Sequence, residues 1–214
     1  MIRIRVASLA LVAAALHGCG TGESSPQLPQ TAADSQAAHI QAVVAAGGVV
    51  DSILPIAEHL RRFRAGIAER ADTLRNGSPS IEALVNRWAA AVSARDTAEL
   101  NAMVLDRAEF AWLYYPDSKL GKPPYEMPPE LLWAQFLTNS DEGAKRVLNR
   151  FGGSPVIVGS VSCPATKTEG PNRLHEGCLV RLESAQAGRE PLRLFGTIFE
   201  RDGRFKFVGF TNAL

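Results

Sequence analysis

The chain has few residues of the types that most enzymatic and metal-binding sites need. Its 214 residues include only three cysteines and four histidines, and none of the cysteines forms a CxxC pair. The nucleotide-binding, hydrolase and zinc-protease patterns GxGxxG, P-loop, GxSxG and HExxH are absent as well. These absences remove several common enzyme classes, and the sequence predicts neither a metal site nor a cofactor.

An excess of charge of either sign is also missing. The formal net charge of the whole chain is +1, and it becomes −1 if Arg3 and Arg5 are removed with an N-terminal leader. Such a balance lacks the basic surface that nucleic-acid binding requires. We therefore expect no nucleic-acid partner.

The apolar run near the N-terminus is too short to be a comfortable membrane span. Residues 6–16 follow two arginines and precede small residues, which is the layout of a secretory signal. The junction Leu16-His17-Gly18-Cys19 resembles the lipobox of bacterial lipoproteins. That resemblance implies cleavage before Cys19 and lipid attachment to it, and the alternative is an ordinary signal peptide with an incidental cysteine.

The lipobox resemblance also implies a location for the protein. We expect a signal peptide over 1–18, then a lipidated cysteine and a flexible stalk over 19–41, which is rich in Ser, Gln, Ala, Thr and Pro. The membrane would then be a partner through the anchor alone. Gly20 stands where some Gram-negative lipoproteins carry an inner-membrane retention aspartate, so we expect the outer membrane, with the protein facing the periplasm.

The other two cysteines, Cys163 and Cys178, belong to a chain that is predicted to enter an oxidising compartment. We expect them to form a structural disulfide across adjacent strands, closing residues 164–177. That segment is predicted to be a long loop because its apolar content is low. A metal site is the competing interpretation, but two cysteines without CxxC or paired histidines make a poor zinc set.

Helical periodicity dominates the first part of the remaining chain. Residues 42–77 form an N-terminal amphipathic helix region, in which apolar residues recur at helical spacing from 55 to 75. The next helix is predicted to begin at Ser78 and to bury Trp88. We take residues 78–214 as a separate domain.

Further helices are predicted from capping signals and spacing. Asp96 and Asp106 are each followed three residues later by a glutamate, which is the spacing of a capping box and predicts a short helix at each. The aromatic run after Asp106 is predicted to be a helix buried on two sides. Two more helical pieces are predicted over 129–137 and 140–151.

After residue 153 the period of the apolar pattern changes from that of a helix to that of a strand. Asp202-Gly203 is a strong tight-turn signal within this part. Helices followed by antiparallel strands predict an α+β fold. The four predicted strands cover 155–163, 178–184, 191–201 and 204–212.

The order of these elements, together with fragments such as 108–116 (AEFAWLYYP) and 194–208 (LFGTIFERDGRFKFV), resembles the nuclear transport factor 2-like superfamily. The resemblance covers roughly residues 78–214. It implies a cone-shaped architecture in which a curved antiparallel sheet wraps around helices and encloses a pocket for a small apolar ligand. The combination is also similar to bacterial exported lipoproteins of uncharacterised function. Superfamily members include both enzymes and binding modules, so the fold does not choose between them.

No acid–base constellation can be assembled from the sequence. His59 lies on the flank of a helix and His175 in the predicted loop, so both are expected at the surface, while Glu200 is expected at a turn. The sequence therefore favours a non-catalytic module that binds a small apolar ligand or an envelope protein. Its candidate pocket residues are Trp112, Tyr114, Tyr115, Tyr125 and Trp133.

Two other functions stay open at this point. One is a cofactor-independent isomerase or dehydratase, with Tyr114 or Tyr115 as proton donor and Glu109 or Asp117 as base. The other is a structural assembly component of the envelope. An exposed apolar patch on the helix predicted over 55–75 would favour that role.

Overall fold

The computed structural model describes residues 32–47, 54–183 and 190–214. The chain divides into two units, Met1–Ser52 and Ile53–Leu214. In the first unit, Ala32–Ala45 forms helix α1, so the segment expected to be a flexible stalk is helical from residue 32. Its alanines and glutamines are good helix formers, which the prediction of a stalk did not weigh.

The predicted signal peptide and the predicted lipidation site Cys19 lie outside the described residues. Across the three described ranges, no helix combines the length and the apolar character needed to cross a membrane.

The second unit begins with its helices. A π-helical turn over Phe110–Tyr114 directly follows the short helix that ends at Glu109, and a short 3₁₀ turn lies at Lys119–Gly121. The helices are α2 (Ile56–Ala65), α3 (Ile81–Ala94), α4 (Thr97–Ala102), α5 (Arg107–Glu109) and α6 (Pro129–Phe151).

Three predicted helix boundaries were wrong. The amphipathic helix expected over 55–75 ends at Gly66, because this glycine caps α2 and the following turns bury Ala71 and Leu74 without helical hydrogen bonds. The helix expected from Ser78 starts later, since Ser80 is the residue whose side chain accepts from a backbone N–H of the first turn. The two pieces expected over 129–151 are the single helix α6.

The capping predictions agree with the structure. The side chain of Asp96 accepts from the backbone N–H of Glu99 at the start of α4. Asp106 and Glu109 form a reciprocal capping box at the start of α5. The aromatic run that follows is buried on most sides, as expected for a helix between two packed layers.

The strands form two antiparallel sheets. The first pairs Val158–Ser162 (β1) with Leu179–Leu182 (β4), and in the second Ala165–Glu169 (β2), Asn172–Glu176 (β3), Ile198–Arg201 (β5) and Arg204–Phe207 (β6) lie side by side in this order. The molecule is thus α+β, with helices followed by a curved antiparallel sheet, as predicted.

The prediction of a long loop over 164–177 was wrong, because β2 and β3 form a hairpin in this segment. The two strands pair in register from Ala165 with Glu176 to Glu169 with Asn172. Gly170, with a φ of 60°, makes the tight turn between them. Low apolar content does not prevent pairing here, since β3 also pairs with β5 and gains a buried face.

Two hydrophobic cores hold the second unit together. The Trp88 core joins α3 and the last turns of α6 to β1, β4 and the inner residues of β5 and β6. The Phe110 core joins α2, the π-helical turn and the first turns of α6 to β3 and β5. Ile198 belongs to the first core and Phe199 to the second, because successive residues of a strand point to opposite faces.

Candidate functional site

A partly open space lined by apolar side chains lies beside the Phe110 core along α6, and we call it the α6 cleft. It has a volume of about 610 Å³. Trp133, Phe136, Ser140 and Ala144 line it at helical spacing along one face of α6. Its other wall carries apolar residues between α4 and α5 and at the end of the chain, namely Val104, Leu105, Val208 and Phe210.

Polar groups stand in the lining of the same cleft. Asp106, Arg107 and Asp141 are charged, and Asn101, Thr138 and Ser140 are neutral hydrogen-bonding residues. The Arg107 guanidinium lies over the Phe63 ring, 4.5 Å from its centroid, and also donates to the Phe63 carbonyl. An apolar floor with a few polar groups around it is the usual composition of a small-molecule site.

A second space, which we call the C-terminal hollow, adjoins this cleft. It has a volume of about 310 Å³, and Phe136 and Val208 line both spaces. The C-terminal segment reaches α6 at Gly143, where a Cβ would lie 1.8 Å from the Phe210 carbonyl oxygen. Glycine at this position therefore permits the close approach that forms the walls of both spaces.

The structure separates the five candidate pocket residues. Trp133 lines the α6 cleft and Tyr114 lines the C-terminal hollow. Tyr115 is buried in the Phe110 core, and Trp112 lies under the Arg64 guanidinium, 5.3 Å from its ring centroid. Tyr125 is 61% exposed. Only two of the five thus line the spaces described above.

The ring of Phe110 connects the two that do. Its centroid lies 5.1 Å from that of Trp133 and 5.8 Å from that of Tyr114. Phe136, which lines both spaces, packs edge-on against Phe110 and Tyr114. Phe136 did not appear among the sequence candidates, although its spacing of three residues from Trp133 indicates the same helix face.

Burial favours the neutral form of Tyr114 and Tyr115, the two tyrosines proposed as proton donors. Burial raises the pKa of Tyr114 to about 12, and burial also raises the pKa of Tyr115 to about 12, with a smaller contribution from the charge of Glu130. The Tyr115 hydroxyl donates to the Met127 carbonyl at 2.6 Å. Its proton is therefore already engaged in a structural hydrogen bond.

The carboxylates proposed as bases are also engaged. Glu109 is fully buried, and its Oε2 lies 2.7 Å from Nζ of Lys206, which is itself buried. The same side chain accepts from the backbone N–H groups of Arg75 and Asp106. Glu109 thus joins β6, the start of α5 and the segment before α3.

Asp117 is the less buried of the two proposed bases. Its Oδ2 accepts from Asn172 at 3.3 Å and lies 4.0 Å from Arg201. Neither Asp117 nor Glu109 lines the α6 cleft or the C-terminal hollow.

Three polar side chains on the sheet, Thr166, His175 and Glu200, form a hydrogen-bonded series that was not predicted from the sequence. His175 is buried rather than exposed, because it lies on β3 and not in a loop, and Glu200 lies on β5 rather than at a turn. Nε2 of His175 is 2.7 Å from Oε2 of Glu200, and Nδ1 is 3.0 Å from the hydroxyl of Thr166. The turn dipeptide Gly170-Pro171, which follows the β-branched Thr166 and Thr168, was the available signal for this hairpin.

This series has the connections of a proton relay but lies away from the cleft. In the tautomer with the proton on Nε2, His175 donates to Glu200 and accepts from Thr166. None of the three side chains is among those lining the α6 cleft or the C-terminal hollow. Within the described residues, moreover, no group of three or more histidine, cysteine or acidic side chains could hold a metal ion.

The two predicted partner cysteines lie at disulfide distance. The sulfurs of Cys163 and Cys178 are 2.07 Å apart. Cys163 follows β1 and Cys178 precedes β4, and the last pair in the register between these strands is Ser162 with Leu179. The cysteines therefore extend this antiparallel pair by one position and close the base of the β2–β3 hairpin.

Comparison with known proteins identifies no relative of this chain. No protein-family model, no curated protein and no solved structure matches the chain.

Proposed function

We propose that this chain is a lipid-anchored module of the bacterial cell envelope, and that its second unit binds a small apolar ligand in the α6 cleft without catalysing a reaction. The observation that carries the binding proposal is the α6 cleft itself. Its volume of about 610 Å³ lies within the range typical of small-molecule sites, about 300–1,000 Å³.

The exposure of the cleft residues supports the same proposal. Trp133, Phe136 and Val208 are only partly buried, although each packs against the Phe110 core. The burial of large apolar side chains is favourable, by about 25 cal/mol for each Å² of apolar surface that is removed from water. A ligand in the cleft would supply that burial.

The isomerase alternative receives less support. Its proposed groups are committed elsewhere, since Glu109 is paired with Lys206 and the Tyr115 hydroxyl donates to Met127. The assembly alternative called for an exposed apolar patch over 55–75. Within the described residues 54–75 no large apolar side chain is exposed, because Phe63 and Leu74 are buried and the others are partly covered.

Binding of the neutral fluorescent probe N-phenyl-1-naphthylamine tests the cleft. We expect saturable binding to the mature protein, and about tenfold weaker binding for Trp133→Ala or Phe136→Ala, because each substitution removes a large aromatic contact. Tyr125→Ala is the matched control, since it removes an aromatic ring that is 61% exposed and lies outside the cleft.

Two outcomes would contradict the binding proposal. One is the absence of saturable binding by the wild-type protein. The other is an equal affinity for the probe in wild type, Trp133→Ala and Phe136→Ala.

The anchor is supported by the sequence alone. Cys19 follows a short apolar run in the pattern of a lipobox, and several buried acyl chains would make membrane attachment durable. We expect globomycin to accumulate the precursor and Cys19→Ala to release the protein from the membrane fraction. Unchanged membrane association of Cys19→Ala would contradict the anchor.

The outer membrane is the proposed location of the anchored protein. Gly20, which follows the cysteine, carries no retention signal of the aspartate type. Fractionation of inner and outer membranes tests the location, and Gly20→Asp should shift the protein toward the inner membrane. A wild-type protein found only in the inner-membrane fraction would contradict it.

We also keep the nuclear transport factor 2-like arrangement as a proposal for the second unit. The element order supports it, because a tryptophan-bearing helix, short aspartate-capped helices and an aromatic turn precede antiparallel strands. An experimental structure tests it. A sheet that does not curve around the helices would contradict it.

A further inference from the structure

We infer that the ligand of the α6 cleft is an acyl amphiphile with an anionic head, and that Arg193 in the C-terminal hollow binds this head. The inference rests on the proposed function, since it assigns the chemistry of the ligand for the same site. It names carboxylate and phosphate together, because an arginine binds either group.

The first step is that the two spaces adjoin. Phe136 and Val208 stand in the lining of both the α6 cleft and the C-terminal hollow. A flexible chain that lies against Phe136 in the cleft therefore meets the hollow next to it. An elongated ligand fits two adjoining spaces of about 610 and 310 Å³ better than a compact one.

The second step is the difference in charge between the two linings. The α6 cleft has two aspartates, Asp106 and Asp141, and one arginine, Arg107. The C-terminal hollow has one arginine, Arg193, and no acidic residue among its lining side chains. The charges of the cleft lining are mixed, and Asp141 is also paired with Lys145, whereas the hollow has a single cation and no acid, so an anionic group is drawn to the hollow and this orients the ligand.

The third step is the state of the Arg193 guanidinium. Arg193 is exposed, and among the described residues its side chain makes no hydrogen bond or ion pair. The contrast with Arg201 is clear, because Arg201 donates to Asn172 and lies near Asp117. Arg193 can therefore form a bidentate pair with a ligand without giving up an existing partner.

Neutral donors stand around the same hollow. Asn139, Thr197 and Thr211 are among its lining residues, and their amide and hydroxyl groups can complete the hydrogen bonding of an anionic head. The apolar end would then lie in the α6 cleft against Trp133. The site thus offers aromatic rings to an apolar chain at Trp133 and Phe136 and a cation without a partner among the described residues at Arg193, as an anionic amphiphile requires.

Matched ligands of equal chain length test the inference. We would measure the affinities of dodecanoate, dodecyl phosphate and dodecanol by displacement of N-phenyl-1-naphthylamine, below the micelle concentrations of the two anions and below the solubility limit of dodecanol. In the wild type, at least one of the two anions should bind about tenfold more tightly than dodecanol, because charged hydrogen bonds are stronger than neutral ones. The anion with the greater preference identifies the head group.

Arg193→Gln should reduce this preference to about twofold or less while the affinity for dodecanol stays unchanged. Arg193→Lys should keep part of the preference, since the charge remains. Arg61→Gln is the matched control, because Arg61 is an exposed arginine of α2 that pairs with Glu58 and does not line the hollow. This variant should behave as wild type.

The outcomes separate this inference from the proposed function. If the neutral probe binds but neither anion is preferred over dodecanol, or if Arg193→Gln keeps the full preference, the inference is wrong and the cleft remains a binding site. If the probe does not bind at all, the proposed function itself is wrong.

Discussion

The Trp88 core and the cleft edge of the Phe110 core use the same residue type in different ways. Trp88 on α3 is 1% exposed and packs edge-on against Phe195, 5.7 Å from ring centroid to ring centroid. Trp133 on α6 packs 5.1 Å from Phe110 but stays partly exposed beside the α6 cleft. The difference shows that a tryptophan with neighbours on one side only stays at the edge of a cleft, whereas a tryptophan with neighbours on all sides becomes part of a closed core.

Truncation of the two tryptophans is the most direct way to break this comparison. We expect Trp88→Ala to lower the free energy of unfolding by about 4 kcal/mol, because it leaves a cavity in a closed core. Trp133→Ala should cost less than about half as much, since solvent can enter the space it leaves. Urea denaturation of both variants measures this. Equal losses would show that the cleft edge is part of the closed packing.

The buried ion pair of Glu109 and Lys206 is the next test, because it belongs to the Phe110 side of the sheet. Lys206→Met should lower the free energy of unfolding by about 3 kcal/mol, since it leaves the Glu109 carboxylate buried without its charged partner. The double variant Glu109→Gln/Lys206→Met should recover part of the loss. A double variant less stable than Lys206→Met would contradict the view that the unpaired charge is the cause.

The disulfide between Cys163 and Cys178 tests the closed Trp88 core, because Cys178 is a buried member of that core. Reduction should lower the free energy of unfolding by about 3 kcal/mol in the chain-entropy model, given the sequence separation of 15. Reduction should leave probe binding in the α6 cleft unchanged. Thiol labelling of the unfolded, unreduced protein should detect no free thiol at Cys163 or Cys178, and stoichiometric labelling of both would show that the bond does not form.

The smallest effect is expected from alkaline pH at Tyr114. Its folded-state pKa of about 12 lies above the ordinary value of 10.0. The stability that the neutral phenol contributes is therefore fully present below about pH 10 and is lost as the pH rises toward about 12. Tyr114→Phe should lose less stability than wild type over this window. Identical losses in the two proteins would show that Tyr114 does not contribute to the alkaline destabilisation.

The sequence predicted elements best where local chemistry specifies them. The caps at Asp96 and Asp106 were correct because a short side chain needs only a backbone N–H three residues away. The period of the apolar residues also predicted the buried face of α3. The end of α2 was missed because the apolar spacing continues past Gly66, where turns rather than helix bury the next residues.

The candidate site was predicted only in part. Trp133 and Tyr114 line the described spaces, but Trp112, Tyr115 and Tyr125 do not. An aromatic residue can serve a core, a cleft or the surface, and its own neighbours in the sequence do not distinguish them. Arg193 could not be singled out either, because its lack of a partner among the described residues is visible only once the other charges are placed in space.

By itself the sequence determined the α+β order, the change from helical to extended periodicity, the helix caps and the pairing of Cys163 with Cys178. All of these depend on short-range spacing or on residue types that have few other partners. Only the tertiary structure decided that His175 meets Glu200, that Lys206 neutralises Glu109 and that Phe136 lines two adjoining spaces. These contacts join residues far apart in the chain, and their free energy depends on burial and distance, which local sequence does not specify.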